Sequence, residues 1–197
     1  MLEFLRQNHD SRKILINQNF RKDLAWFDTF LEQYNGITFY EQPKPDYQVA
    51  LDACLTGMGG HFGSMVYTLD IPFGYNNYHI AHLEILNIVV AAKIWANHWA
   101  NKSVNILCDN EAVVEGLKTG KARDMQLATC ARNIWLIAAM FNINFTFSHI
   151  PGKSNVVADL LSRWNKTSQN FEKLKELVPN YIWIDTHLDL TLLNLTI

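Results

Sequence analysis

The sequence lacks any uninterrupted apolar run of about 18 residues, the length typical of a membrane-spanning helix. Its most apolar stretches, 85–96 and 134–141, are broken or followed by polar residues such as Asn87 and Lys93. The N-terminus carries Glu3 and lacks the apolar core of a signal peptide. We therefore expect no membrane partner and a location inside the cell, in the cytoplasm or the nucleus.

Cysteine is scarce as well. Cys54, Cys108 and Cys130 are widely spaced, and no CxxC pair occurs. This spacing excludes a disulfide framework and a cysteine-rich zinc site. We expect the three thiols to be reduced, buried and to behave as small apolar side chains.

The chain also lacks a strong excess of charge of either sign, with 17 Lys and Arg against 19 Asp and Glu, a net charge of −2. Residues 100–166 hold eight basic and five acidic side chains, a local net of +3, whereas residues 1–99 hold seven and ten, a net of −3. This asymmetry weakly indicates an anionic partner for the second half. From charge alone, an ordinary solvated surface is the simpler interpretation.

The residues that are present favour a globular protein, because 49% are hydrophobic and only 18% charged. A helical pattern in residues 1–35 ends at Asn35-Gly36, a short strand is predicted at 37–40, and a proline-punctuated link follows. We predict three segments: a helical segment at 1–45, a main domain at 46–166 and a C-terminal extension at 167–197 of unknown role.

The main domain alternates strand-like and helix-like patterns. Strands are predicted around Asp52 and at 62–69, 76–80, 103–108 and 143–148, with a glycine turn at 57–60; helices are predicted at 82–99, 110–119, 123–141 and 154–164. In the extension, 169–177 is helical and 181–184 is strand-like. The order predicts an α/β fold with a mixed central sheet of about five strands flanked by helices.

Four acids lie in apolar surroundings where a merely solvated carboxylate is less expected: Asp52, Glu84, Asp109 and Asp159. Each has an ordinary explanation. Glu84 suits the first turn of a helix, Asp109 suits a helix N-cap, and Asp159 suits the exposed face of a helix.

Taken together, the acids favour a metal site. Sites in open α/β sheets gather where strands end and helices begin, and an ionised carboxylate leaves water only when it is paired or binds a metal. Mg²⁺ prefers oxygen ligands, and two such ions together can promote hydrolysis of a phosphodiester.

Four segments carry a family resemblance. The stretches ALDACLTGMGGHFG, HLEILNIVVAAKIW and NILCDNEAVVEGL resemble the first hairpin, the Glu helix and the strand-Asp-helix unit of ribonuclease H. The segment FSHIPGKSNVVADLLSRW is similar to the C-terminal ribonuclease H motif of retroelement reverse transcriptases. Upstream, FRKDLAWFDTFLEQYNGITFY resembles the connection to the polymerase domain in DIRS-like or LTR-type retrotransposons. The resemblance spans roughly residues 20–164.

The resemblance implies a ribonuclease H-like fold and a metal-dependent endonuclease that hydrolyses the RNA strand of an RNA–DNA hybrid with two Mg²⁺ or Mn²⁺ ions. Asp52, Glu84, Asp109 and Asp159 carry over as metal ligands, and His149 as a mobile catalytic histidine, unless it is only a turn residue with a backbone contact. The glycines at 57–60 would let the RNA backbone approach. The candidate nucleic-acid-binding residues are Asn110, Lys118, Lys121, Arg123, Lys153, Asn155 and Arg163.

Ordinary explanations compete for some of these residues. Asn155 is the better candidate for a helix N-cap, and Arg163 suits a helix C-terminus. The six tryptophans are mostly expected in the core.

The sequence departs from the family in two respects. It has no Y-x-D-D polymerase signature, so we expect any polymerase to be a separate domain, and a polymerase domain of the same polyprotein is the candidate partner. It also lacks a basic, tryptophan-bearing protrusion. Two other readings stay open: an inactive or domesticated domain that binds nucleic acid or acts as a scaffold, and an integrase- or resolvase-like nuclease acting on DNA.

Overall fold

The computed structural model describes residues 16–34, 44–71, 75, 78–120, 125–164, 168–184 and 186. In chain order the elements are α1 (Gln18–Gln33), β1 (Tyr47–Ala53), β2 (Gly57–Phe62), β3 (Met65–Asp70), α2 (Ile80–Trp99), β4 (Ser103–Cys108), α3 (Glu111–Thr119), α4 (Met125–Phe141), β5 (Asn144–His149), a 3-10 turn (Gly152–Ser154), α5 (Val156–Ser162), α6 (Ser168–Leu177) and β6 (Ile182–Trp183).

The strands form one mixed sheet in the order β5-β4-β1-β2-β3-β6. The pairs β1–β2 and β2–β3 are antiparallel, while β1–β4, β4–β5 and β3–β6 are parallel. The predicted α/β fold with a mixed sheet is confirmed. The sixth strand comes from the C-terminal extension and pairs with the edge that β3 would otherwise expose.

One face of the sheet carries the main core. Alternate β1 residues, among them Val49 and Leu51, point to this face and pack with α2. Trp95 and Trp99 of α2 are fully buried, as expected for core tryptophans. Helix α4 packs against α2, and α1 joins α4 through an ion pair between Asp23 and Arg132 at 2.6 Å.

Helix α2 is long and apolar enough to cross a membrane when judged by length and composition alone. However, 67% of its apolar window is buried inside the protein. The core helix of a globular domain passes the same test, and its packing on the sheet accounts for its apolar surface.

The opposite face of the sheet carries α5, which packs on β1, β2 and β3. A smaller cluster there joins Val66 of β3, Leu161 of α5 and Leu174 of α6, all fully buried. Thr186 donates a hydrogen bond to the carbonyl of Thr68. The described part of the extension therefore packs on the sheet beside α5, while the division into segments at 45 and 167 stays a prediction.

Two local predictions are wrong, and one lies outside the described residues. The stretch 57–60 is not a turn but the start of β2; the chain reverses at 54–56, where the Cys54 amide donates to the Gly57 carbonyl at 2.8 Å. The strand predicted at 76–80 is absent from the described residues 78–80, because α2 begins at Ile80 with His79 as its N-cap; residues 76 and 77 lie outside the described part of the chain. The strand predicted at 37–40 falls on residues that the structure does not describe.

The glycines of β2 make room for α5. A Cβ atom built on Gly59 would lie 2.6 Å from Cβ of Leu161, and one on Gly57 would overlap the backbone carbonyl of Ser162. Protein atoms therefore fill the space that we had expected to admit an RNA backbone. The sequence shows that small residues are needed here, but only the tertiary packing shows why.

We expect substitutions at Gly59 to destabilise the fold in proportion to side-chain size. Gly59→Ala forces α5 away from the sheet and should cost about 1–3 kcal/mol of unfolding free energy, and Gly59→Leu should cost more. Gly63 is the control, because nothing lies within 4 Å of a Cβ there, and its φ of +57° would strain Ala and Leu alike, whatever their size. Denaturant unfolding should show a size dependence at Gly59; equal losses from Ala and Leu would contradict the packing explanation.

Candidate active site

Asp52 lies in β1 opposite Gly59, on the face of the sheet that carries α5. Its side chain is buried, with 4% exposed, and its Oδ2 accepts a hydrogen bond from Ser162 Oγ at 2.5 Å. Burial raises the pKa of Asp52 to about 6; the Ser162 hydrogen bond opposes this, and the negative charges of Asp109 and Asp159 add to it. Asp52 is thus a buried acid within reach of two others.

Glu84 reaches the same region from α2. Because α2 begins at Ile80, Glu84 lies beyond the first turn, and the helix-dipole explanation does not hold. Its side chain is buried, and Oε1 accepts a hydrogen bond from the Ala53 amide at 3.3 Å. Burial raises the pKa of Glu84 to about 9, with further increases from Asp52 and Asp109.

Asp109 directly follows β4 and is half-buried. It is not the N-cap of α3; that position is taken by Asn110, whose Oδ1 accepts from the Val113 amide at 3.3 Å. The Asp109 carboxylate is therefore not used as a cap. A Cβ atom on Gly152 would lie 3.2 Å from its Oδ2, so the 3-10 turn passes close beside it.

Asp159 lies in α5 and is more open than the other acids, with 46% of its side chain exposed. Its Oδ1 accepts from Arg163 Nε at 2.7 Å, one helical turn away. It is nevertheless close enough to Asp52 for its charge to raise the pKa of that buried acid. Position on an amphipathic helix explains its exposure but not this proximity.

The acids form one electrostatic cluster with a tighter centre. Ligand atoms of Glu84, Cys108 and Asp109 all lie within 4.8 Å of one another, a group that does not include Asp52 or Asp159. Asp52 is connected to this centre through its electrostatic coupling to Glu84 and Asp109. The structure therefore brings the four sequence-predicted acids to one region, with Asp159 at its open edge.

The donor set fits a hard divalent cation. The carboxylates of Glu84 and Asp109 are oxygen donors of the kind that Mg²⁺ and Mn²⁺ accept. Cys108 is a soft donor, and burial raises the pKa of its thiol well above the usual range, so the group stays protonated. Its Sγ lies 3.7 Å from Oε2 of Glu84 and donates to it. All three cysteines are buried, as predicted, and they are not disulfide-bonded.

His149 ends β5 and is exposed. Its Nε2 lies 3.2 Å from the backbone carbonyl of Asp109, so the backbone contact that we considered as an alternative is present. The ring is also next to the acid cluster. The backbone contact and a role in proton transfer do not exclude each other.

The candidate nucleic-acid-binding residues lie on several different elements. Lys118 pairs with Glu115 on the surface of α3 at 3.3 Å, and Lys153 is exposed in the 3-10 turn beside Asp109. Lys121 and Arg123 lie outside the described residues. Asn155 does not cap α5 with its side chain; it is buried, and its Nδ2 donates to the Leu51 carbonyl at 2.8 Å.

Two polar contacts of this site were not predicted from the sequence. Ser162 contacts Asp52, and Asn87 contacts the backbone of β1 and β2. The signals were present: Asn87 interrupts the apolar stretch 85–92 three residues after Glu84, and Ser162 comes three residues after Asp159. At that spacing, side chains lie on one face of a helix.

Comparison with solved structures defines the class of fold. RNase H1 from the halophilic archaeon Halobacterium salinarum is similar over 60% of this chain and 98% of its own, with 15% identity and a TM-score of 0.50. The N-terminal RNase H domain of a Mycobacterium tuberculosis protein covers 65% of this chain and 99% of its own, with 14% identity and a TM-score of 0.47. The fold is ribonuclease H-like.

A family model also matches part of the sequence. Residues 81–165 match the family model described as reverse transcriptase-like. The foamy viral protease–reverse transcriptase, solved in complex with an RNA/DNA hybrid, covers 83% of this chain and 28% of its own, with 13% identity and a TM-score of 0.47. No curated protein matches the sequence. The predicted resemblance to the ribonuclease H domain of a reverse transcriptase is confirmed.

Proposed function

We propose that this chain is a divalent-metal-dependent endonuclease that hydrolyses the RNA strand of RNA–DNA hybrids during retroelement reverse transcription. The observation that carries the proposal is the cluster of four acids from β1, α2, the end of β4 and α5. Two of them, Asp52 and Glu84, are each only 4% exposed. Nearby like charges are costly in a low-dielectric site unless cations neutralise them.

The acids of this chain have distinct roles in the proposed reaction. Glu84 and Asp109 form the tight oxygen-donor pair, Asp52 supplies the buried carboxylate beside it, and Asp159 closes the open edge. When bound, two divalent cations would activate the attacking water and stabilise the leaving oxygen of the phosphodiester. The products would carry a 5′-phosphate and a 3′-hydroxyl.

Other residues of the site would manage protons and the substrate. His149 is exposed beside Asp109, where its imidazole could carry a proton to or from the reacting phosphate. Lys153 stands on the 3-10 turn close to Asp109 and is free to contact a phosphate. A hybrid is recognised through its shape and 2′-hydroxyls, and phosphate contacts make such binding salt-dependent.

We further propose that a polymerase domain, in the same polyprotein or as a separate partner, contributes part of the surface that binds the hybrid. Among the described basic candidates, Lys118 and Arg163 already form ion pairs with Glu115 and Asp159, so little positive charge is left to bind the phosphates of a hybrid. We also propose that the retroelement is DIRS-like, that the protein acts inside the cell, and that the site holds two ions.

The decisive experiment compares a labelled RNA–DNA hybrid with duplex DNA and duplex RNA of the same sequence. We expect Mg²⁺- or Mn²⁺-dependent cleavage of the RNA strand in the hybrid alone, with a chelator and Asp109→Asn as negative controls. Asp109 is the best control position because its side chain has no capping role. Cleavage of duplex DNA in preference to the hybrid would instead support an integrase- or resolvase-like nuclease.

The second candidate function is a non-catalytic nucleic-acid-binding or scaffolding module. One observation favours it: Arg163 already neutralises Asp159, as a cation would. Calorimetry with Mn²⁺ in the absence of nucleic acid separates the candidates. Heat of binding that Asp52→Asn abolishes supports the enzyme, and absence of binding supports the scaffold.

A further inference from the structure

The backbone around Asp52 is fixed from both faces of the sheet. Asn87, which is fully buried, donates through Nδ2 to the carbonyls of Asp52 at 2.8 Å and Gly59 at 3.0 Å. From the other side, Asn155 donates to the Leu51 carbonyl at 2.8 Å. With its main chain held in this way, the remaining freedom of Asp52 is rotation of its carboxylate.

Ser162 removes that freedom. Its side chain is 2% exposed, and its Oγ lies 2.5 Å from Asp52 Oδ2 and 3.0 Å from the Asp159 carbonyl. A hydroxyl has one proton, and a hydrogen bond to a charged acceptor is stronger than one to a neutral carbonyl. The ionised form of Asp52 is therefore the favoured acceptor.

The hydroxyl is itself anchored independently of Asp52. The Ser162 carbonyl accepts from Cys54 Sγ at 3.3 Å, and the preceding carbonyl, that of Leu161, accepts from Thr68 Oγ1 at 2.8 Å. The glycines at 57 and 59 let this last turn of α5 approach the sheet closely. The position of Oγ is thus set by packing and not by the acid it contacts.

We propose that Ser162 is a positioning residue that fixes the Asp52 carboxylate through Oδ2 and leaves Oδ1 as the atom available to a divalent cation. The inference rests on the proposed function, since it assigns a role to Ser162 only if Asp52 is a metal ligand. This role also explains why α5 lies so close to β1. The same turn of α5 carries Asp159 and, through Ser162, orients the carboxylate of Asp52.

The test measures Mn²⁺ affinity by calorimetry without nucleic acid. Ser162→Ala should weaken binding by about 10- to 100-fold, the usual effect of losing a group that orients a metal ligand. Ser162→Thr, which keeps the hydroxyl, should restore most of the affinity. With hybrid substrate, Ser162→Ala should lower kcat and leave KM for the hybrid nearly unchanged.

Thr68→Val is the matched control, because it removes a buried hydrogen bond to the same turn of α5 without touching a carboxylate. We expect it to lower the melting temperature but to reduce the Mn²⁺ affinity far less than Ser162→Ala does, because the Cys54 hydrogen bond and the close packing on Gly57 and Gly59 still hold the turn. Equal affinities for wild type and Ser162→Ala, or an equal loss in Thr68→Val, would overturn the role of Ser162. If wild type and Asp52→Asn bind Mn²⁺ alike, the proposed metal site fails, and the role of Ser162 fails with it.

Discussion

Replacing Asp52 with Asn should lower the rate of hybrid cleavage by roughly 10³-fold, the loss of several kcal/mol of transition-state stabilisation. The same substitution should raise the melting temperature of the metal-free protein. The two effects have opposite signs because the Asp52 carboxylate is needed to bind the metal, but its negative charge destabilises the fold when no metal is bound. Its burial and the charges of Asp109 and Asp159 penalise the ionised form, whereas a neutral amide retains an oxygen that can accept from Ser162.

The experiment combines a cleavage assay with thermal unfolding in a chelating buffer. Asp28→Asn is a suitable control, because it removes an exposed acid on α1, remote from β1, and should change neither quantity. Wild-type cleavage by Asp52→Asn would refute the assignment of Asp52 as a ligand. Loss of cleavage together with a lower melting temperature would instead mean that Asp52 supports the fold.

The parts of the site that could be predicted from the sequence are those with local signals. Asp52 interrupts an apolar strand, and Asp109 follows another; their approach follows from the parallel pairing of β1 and β4. Glu84 was expected on its helix, although the helix starts two residues earlier than its apolar pattern indicated. The 147–164 segment placed Asp159 on a short helix after the last predicted strand, as the structure shows.

The parts that could not be predicted depend on contacts between distant segments. Gly57 and Gly59 resemble turn residues until α5 is packed against them. Asn155 lies where a helix cap is expected, but its side-chain amide instead donates a hydrogen bond to a β1 carbonyl 104 residues earlier in the chain. The strand Ile182–Trp183 is too short to be assigned to this sheet without the exposed edge of β3.

The stability of the metal-free protein should fall as the pH rises from about 6.5 to 8.5. The folded state keeps a proton on Glu84, whose pKa is raised from 4.5 to about 9, while the unfolded chain has already released it. Stability decreases with pH wherever the folded state binds more protons than the unfolded state. A difference of one proton corresponds to at most about 1.4 kcal/mol for each pH unit.

Three other groups with shifted pKa values change the stability mainly outside this pH window. Asp52, with its pKa raised to about 6, contributes mainly below it. Burial lowers the pKa of His61, and this histidine therefore opposes the trend at acidic pH, where the unfolded chain takes up a proton that the folded state does not. The raised pKa of the Cys108 thiol adds a loss of the same sign only toward the alkaline end.

Urea unfolding in a chelating buffer across this window should show the decline, and Glu84→Gln should remove most of it. Saturating Mg²⁺ should reverse the trend, because cation binding requires the ionised carboxylates and becomes stronger as their protons are lost. A metal-free protein of constant stability would show that Glu84 is ionised in the folded state. A decline that Mg²⁺ does not alter would show that the buried acids titrate without binding a cation, which would favour the scaffold over the enzyme.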